Sequence, residues 1–233
     1  MITTERLGAT QRPGLTGGLI LFTLLAWWVA PFVTLPLDGT STLFWQGALD
    51  EAGPILGPQA LTAHLLHTDK AHLLWNLLGL AVLGYLVERR SRVLLLVAVG
   101  GGMGAVTLWF HLLSDTTYYV GWSGVLNCLF VCSLWTLYLP VSQSDLYSLQ
   151  TRRMNNALVA VIAIGGLAKA LWELAQGEAL LTHTLWPSAP GAHLAGMLAG
   201  SLICGTLLLL RMPPTLRYLH SKVEVHVRDD RQL

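Results

Sequence analysis

Charged side chains are scarce: 12% of the 233 residues are Asp, Glu, Lys or Arg, against 53% hydrophobic residues. A soluble domain carries about a quarter charged residues, so an ordinary globular protein with a solvated surface is excluded. Neither sign of charge dominates, with 14 Lys plus Arg facing 13 Asp plus Glu. Such a chain has no basic field with which to neutralise phosphates, which excludes nucleic acid as a partner. The three cysteines, Cys128, Cys132 and Cys204, all lie in apolar runs. They form neither a disulfide framework nor the paired spacing of a structural zinc site, and read as packing residues. The chain lacks His-Glu-x-x-His, the ligand set with which a zinc protease activates water. Gly100, Gly101, Gly102 and Gly104 lack the Gly-Lys-Ser/Thr ending of a phosphate loop and read instead as a place where another helix packs closely. His64, His67 and His72 have no carboxylate or cysteine to join them within the same span, so no metal and no other cofactor is expected. No internal repeat or low-complexity tract is present.

What the chain does have is long apolar runs. A helix needs roughly 20 residues to cross a bilayer, and uncharged or nearly uncharged runs of about that length cover residues 17–37, 71–87, 93–113, 118–141, 154–172 and 192–210. The second is short, and the fifth contains Lys169. The expected fold class is an all-α, polytopic membrane protein of six transmembrane helices. The first run lacks a small-residue cleavage pattern and is long for the core of a signal peptide, so it reads as a retained span. Basic residues flanking spans stay on the cytoplasmic side. With both termini inside, 12 of the 14 Lys and Arg fall on that side, Lys70 falls outside and Lys169 lies within a span. The expected organisation is a cytoplasmic N-terminus (1–16), a six-span core (17–210) with an outer loop (38–70), and a cytoplasmic tail (211–233). The outer loop mixes Gly and Pro with apolar residues and is expected to dip into the membrane interface as a partly helical element. Residues 222–228 alternate like a short strand or a disordered tail.

Polar side chains inside a membrane are costly and mark functional sites by default. Three groups stand out. His64, His67, His72 and Asn76 enter the second span, Gly121, Ser123 and Gly124 head the fourth, and His193, Gly196 and Gly200 head the sixth. In this topology all three spans run from outside to inside, so the groups share one depth. His193 precedes Arg211 by 18 residues, about 27 Å of helix, which places it near the outer surface within reach of water. A serine hydroxyl becomes a nucleophile when a histidine takes its proton, and acyl transfer needs donors for the developing oxyanion. Ser123 and His193 supply the pair. His72 and Asn76, four residues apart, share one helix face, and the Ser123 backbone N–H at a helix start is a further donor. Taken singly, each pattern also suits close helix packing; together, in one order and at one depth, they read as a hydrolase site.

At this point the sequence resembles the rhomboid intramembrane serine proteases over residues 17–210. That family carries His-x4-His-x3-Asn entering its second span, Gly-x-Ser-Gly beginning its fourth and His-x2-Gly-x3-Gly in its sixth. Here these are His67, His72 and Asn76; Gly121, Ser123 and Gly124; and His193, Gly196 and Gly200. The resemblance implies a rhomboid-like bundle, Ser123 as nucleophile and His193 as general base in a dyad without an acidic third member. It implies an oxyanion hole of His72, Asn76 and the Ser123 backbone, and a transmembrane segment of a membrane-anchored protein as substrate. It further implies that the fifth span, weakened by Gly165 and Gly166, is the lateral gate through which that segment enters. Two positions depart from the family. Pro58-Gln59 stands where many members have Trp-Arg, and Asn127 stands where many place a ring against the catalytic histidine. Asn127 is expected to hydrogen-bond His193 instead. Lys169, with Glu173 four residues on, is expected to snorkel or to pair with it.

The stretches around Ser123 and His72 are similar to the rhombosortase branch, which is associated with removing a C-terminal Gly-Gly-type sorting tail from exported bacterial proteins. The resemblance therefore implies a multi-pass protein of the bacterial inner membrane, with a site opening to the periplasmic side. Two other readings stand beside it. A non-catalytic rhomboid-like protein would bind membrane helices without cutting them. A transporter would need a continuous polar path, and the inner halves of spans 2, 4 and 6 are mostly apolar.

Overall fold

The structure, a computed structural model, describes residues 14–29, 49–50, 55, 57–116, 118–138, 147–177, 180 and 189–209. The first apolar run forms α1 (Leu15–Val29). A two-residue strand, β1 (Leu49–Asp50), and a short helix, α2 (Gln59–Thr62), continued by a tighter turn over Ala63–Leu65, follow it. Next come α3 (Lys70–Arg90) and α4 (Arg92–Leu113). Strand β2 (Tyr118–Tyr119) leads into α5 (Ser123–Leu137), α6 (Leu149–Gln176) and α7 (Pro190–Leu209). Among the described residues, α3, α4, α6 and α7 are long and apolar enough to cross a membrane, and α1 and α5 are shorter apolar helices. The protein is a membrane protein.

Helix ends follow residue types that satisfy orphan backbone groups, a strong constraint where no water is at hand. The Asp69 carboxylate accepts the His72 N–H at 2.8 Å and starts α3. Ser91, extended at φ −166°, separates α3 from α4 and accepts the Leu94 N–H. Ser148 accepts the Thr151 N–H at the start of α6, and Gly177, at φ 73°, closes that helix. Glu88, near the end of α3, accepts the N–H groups of Leu15 (2.7 Å) and Thr16 (2.9 Å). It thereby places a carboxylate at the positive end of α1 and ties that helix to α3.

The core lies between α3, α4, α5 and α7, around Leu80, Leu95, Trp122, Val125, Cys128 and Leu129. Lipid gives helices no hydrophobic reason to associate, so close packing of small residues carries the bundle. A Cβ on Gly102 would meet Cys128 Cβ at 3.1 Å, one on Gly196 would overlap the Gly124 carbonyl, and one on Gly200 would sit 2.7 Å from the Cys128 carbonyl. Gly101 faces Ile203, whereas Gly100 and Gly104 face open space, so the packing role expected of these α4 glycines belongs to Gly101 and Gly102. All three cysteines are buried free thiols, with Cys204 donating to Cys132 at 3.9 Å. Large apolar side chains such as Leu74, Leu158 and Ile164 point outward, as lipid-facing residues do.

Several boundaries differ from the sequence expectation. The second span is not short: its helix runs on through Glu88, Arg89 and Arg90 to 21 residues, with a wider turn over Leu80–Gly84. The fourth helix begins at Ser123 rather than at 118, because Tyr118 and Tyr119 pair antiparallel with Asp50 and Leu49. The fifth helix is continuous across Gly165 and Gly166. Gly166 there makes room for Phe130, whose ring would lie 2.5 Å from a Cβ, and Gly165 faces open space. The outer loop is partly helical, but Ala63, His64, Leu65, Leu66 and His67 are buried in the protein rather than laid on an interface. Residues 30–37 of the first run, and the tail with its 222–228 pattern, lie outside the described residues.

Candidate active site

The site is built around one turn. Gly121 has φ 108°, a conformation open chiefly to glycine, and it is clamped from the loop that precedes α3. Its N–H donates to the Ala63 carbonyl at 2.8 Å, and its carbonyl accepts from His64 Nδ1 and from the Tyr119 hydroxyl, both at 3.2 Å. The loop that starts with Pro58-Gln59 is thus anchored by backbone pairing to the segment before Ser123. A Cβ at Gly121 would strike His72 Cε1 and Nε2 at 2.6 Å and lie 3.2 Å from Asn76 Nδ2. His72 and Asn76 therefore both face the turn two residues before Ser123. Among the described residues the buried Asn76 Nδ2 has no hydrogen-bond partner, which leaves a donor spare at this point.

Thr68 orders the His72 ring. Its hydroxyl is 3.2 Å from His72 Nδ1 and 3.1 Å from Asp69 Oδ2, and it has one hydrogen to give. Given to the imidazole, that hydrogen leaves Nε2–H facing Gly121; given to Asp69, it leaves Nδ1–H and a bare Nε2. The His67 ring stacks edge-on to His72 at 4.9 Å, and His67 Nδ1 donates to the Leu65 carbonyl at 3.2 Å.

Ser123 opens α5, where backbone N–H groups of the first turn have no helical acceptor. The Tyr119 hydroxyl accepts the Gly124 N–H at 3.2 Å and lies 3.5 Å from Ser123 Oγ. Tyr119, buried beside Val106 and Ala192, thus braces the serine turn, a role its place in the motif did not announce. On the other side, α7 is pressed against α5. The position of a Cβ on Gly124 is 2.9 Å from the Ala192 carbonyl, and Gly196 abuts the Gly124 carbonyl. The serine preceding Gly124 and the histidine following Ala192 are therefore held at one level of the bundle.

The acidic neighbour of His193 was not expected. His193 Nδ1 donates to Glu173 Oε2 at 2.9 Å, and the carboxylate is 1% exposed. The other oxygen, Oε1, takes the Leu180 N–H at 2.9 Å and the Lys169 ammonium. The expected Lys169 pairing is present but occupies one oxygen only. Asn127 is placed differently from expectation: its amide donates to the Ser123 carbonyl at 2.9 Å, and the imidazole partner is Glu173. Of the expected site residues, the structure sets His67 against His72, His72 and Asn76 against Gly121, and Gly124 against Ala192 and Gly196, with Gly200 packing on Cys128 deeper along α5. Among the described residues no group of three or more His, Cys, Asp or Glu side chains is placed to hold a metal.

Burial sets the charge of the loop histidines. Desolvation pushes His64 down to about 4 and, with His72 adding repulsion, His67 to about 3, from the ordinary 6.5. Both are neutral at pH 7. The unfolded chain takes up these protons first, so the stability they contribute is complete above about pH 6.5 and drains away as pH falls toward 4 and 3. The unfolding temperature in detergent is expected to be flat above pH 7 and to fall steadily from pH 6.5 to 4. The fall should be shallower in His67→Gln.

A comparison with protein-family models matches residues 58–210 to the Rhomboid domain. No curated protein matches the chain.

Proposed function

The chain belongs to the rhomboid family, whose members are generally serine intramembrane proteases acting on membrane-embedded substrates, and on that premise we propose that it is an intramembrane serine endopeptidase with Ser123 as nucleophile and His193 as general base. The observation that carries this reading is the set of close approaches at Gly121, Gly124 and Gly196, which gathers the three polar groups at one end of the bundle. Ser123 Oγ attacks the scissile carbonyl while His193 Nε2 takes its proton. The oxyanion is met by Asn76 Nδ2, the Ser123 N–H and His72 Nε2–H, the last once Thr68 donates to Nδ1. His193 returns the proton to the leaving amine, and water hydrolyses the acyl-enzyme. In the free protein Ser123 Oγ lies 3.5 Å from Tyr119; catalytic hydrogen bonds are often long before substrate binds and tighten in the complex.

The substrate is a transmembrane anchor of another protein, entering past α6, whose apolar face is largely exposed. We assign the protein to a bacterial inner membrane with both termini inside and the site facing the periplasm. The orientation follows the clustering of Arg89, Arg90, Arg92, Arg152 and Arg153 at helix ends remote from Ser123, and the bacterial membrane follows the likeness to rhombosortases. Similarity of the Ser123 and His72 stretches to rhombosortases makes a Gly-Gly-type C-terminal sorting tail the substrate of choice. The test is cleavage in proteoliposomes of two reporters differing only in Gly-Gly or Val-Val before a C-terminal apolar anchor. The Gly-Gly reporter is expected to be cut at least about tenfold faster, which corresponds to about 1.4 kcal/mol of discrimination. Equal rates would remove the sorting-tail assignment, and cleavage of neither reporter would count against the protease reading.

A further inference from the structure

We propose that Glu173 is a positioning residue of the hydrolytic site, converting the Ser123–His193 pair into a three-membered relay. The inference rests on the protease reading and adds to it a carboxylate from a different helix.

A carboxylate in a membrane is costly unless it is paired, and Glu173 is 1% exposed on a helix whose neighbouring side chains mostly face outward. Its two oxygens are occupied differently. Oε1 is fixed by the Lys169 ammonium, one turn before it, and by the Leu180 N–H at 2.9 Å. These two donors fix the carboxylate plane and offset its charge. Among the described residues Oε2 is left to His193 Nδ1, at 2.9 Å. An ionised carboxylate only accepts, so the proton of a neutral His193 resides on Nδ1 and the lone pair on Nε2. Nε2 is the nitrogen that must receive the Ser123 proton. The same bond fixes the ring plane, and it places a negative charge next to the imidazolium formed during attack, as a buried aspartate does in Ser-His-Asp hydrolases. No atom of Glu173 needs to touch substrate, and the proton that leaves Ser123 stays on Nε2 until the leaving amine takes it.

A purely structural role for Glu173, tying α6 to α7, predicts loss of stability with intact chemistry in whatever protein remains folded. The relay predicts the reverse. The experiment measures kcat and KM for a cleaved membrane-anchored reporter, and the labelling rate by a small serine-directed fluorophosphonate, in wild type, Ser123→Ala, Glu173→Gln, Glu173→Ala and Glu173→Asp. Only the fraction that is monodisperse and melts cooperatively is assayed. Glu173→Ala is expected to lower kcat by about 10²- to 10⁴-fold with KM within about threefold, and to slow labelling in parallel, since the probe needs no substrate helix. Glu173→Gln keeps an acceptor of the same size and is expected to fold even where Glu173→Ala does not. Having lost the charge, it is expected to remain at least about tenfold below wild type, with Glu173→Asp recovering part of the rate. An active wild type with Glu173→Gln and Glu173→Asp both within about threefold of it, and normal labelling, would overturn the positioning role and leave the protease reading standing. A folded wild type indistinguishable from Ser123→Ala in both assays would overturn the protease reading, and the relay with it.

Discussion

Ser123→Ala is expected to abolish peptide-bond cleavage, lowering kcat by at least about 10³-fold while leaving the protein folded. The serine hydroxyl is the only atom group removed, and its neighbour in the free protein, the Tyr119 hydroxyl, is 3.5 Å away. Tyr119 keeps its bonds to the Gly124 N–H and the Gly121 carbonyl, so the turn survives the change. Asn76, His72 and the residue 123 N–H also stay in place and can still bind a carbonyl oxygen, which is why substrate binding should persist while covalent chemistry stops. The check is a single-turnover assay with the variant and wild type at equal folded concentration. A variant retaining a tenth of the wild-type rate would place the nucleophile elsewhere.

The second large effect concerns packing. Gly196→Ala is expected to destabilise the bundle by several kcal/mol, beyond the 1–3 kcal/mol typical of an overpacked site, because nothing next to it can yield. The added Cβ would overlap the Gly124 carbonyl oxygen, a backbone atom of α5 one residue after Ser123. Relief requires α5 and α7 to part, and parting them moves Ser123 away from His193. Gly205→Ala provides the comparison on the same helix, since a Cβ there meets nothing within 4 Å; it should leave both stability and activity near wild type or gain slightly from helix propensity. Thermal unfolding in detergent reads the two variants side by side. A Gly196→Ala protein as stable as Gly205→Ala would contradict the packing described here.

The residues that the sequence exposed were those whose spacing carries the geometry. His72 and Asn76 lie one turn apart on α3, and Gly196 and Gly200 lie one turn apart on α7, so helical periodicity alone put each pair on a shared face. Apolar runs located the long helices, while their exact starts, capped by Asp69, Ser91 and Ser148, came from the structure. What was hidden depends on contacts between segments far apart in the chain. The clamp of Ala63 and His64 on Gly121 joins residues 57 or more positions apart, and no local pattern predicts it. The pairing of β1 with β2 shortened the fourth helix because an apolar run does not distinguish a strand leading into a helix from the helix itself. Glu173 was visible only as a partner for Lys169, which is correct for one carboxylate oxygen. The second oxygen reaches a histidine 20 residues away on α7, and the remaining signal was the cost of a carboxylate so close to an apolar run. Family position points Asn127 at His193, whereas a short amide at that place reaches its own helix carbonyl, four residues back, more readily.

The measurement that tests the central claim most directly is covalent labelling of purified, folded protein by a serine-directed fluorophosphonate, comparing wild type, Ser123→Ala and His193→Ala in one detergent. The account predicts labelling of wild type at a single site, mapped to Ser123, and its loss in both variants, because only a serine with a base beside it reacts at a useful rate. Labelling that persists unchanged in either variant, or a folded wild type that does not react at all, would contradict it.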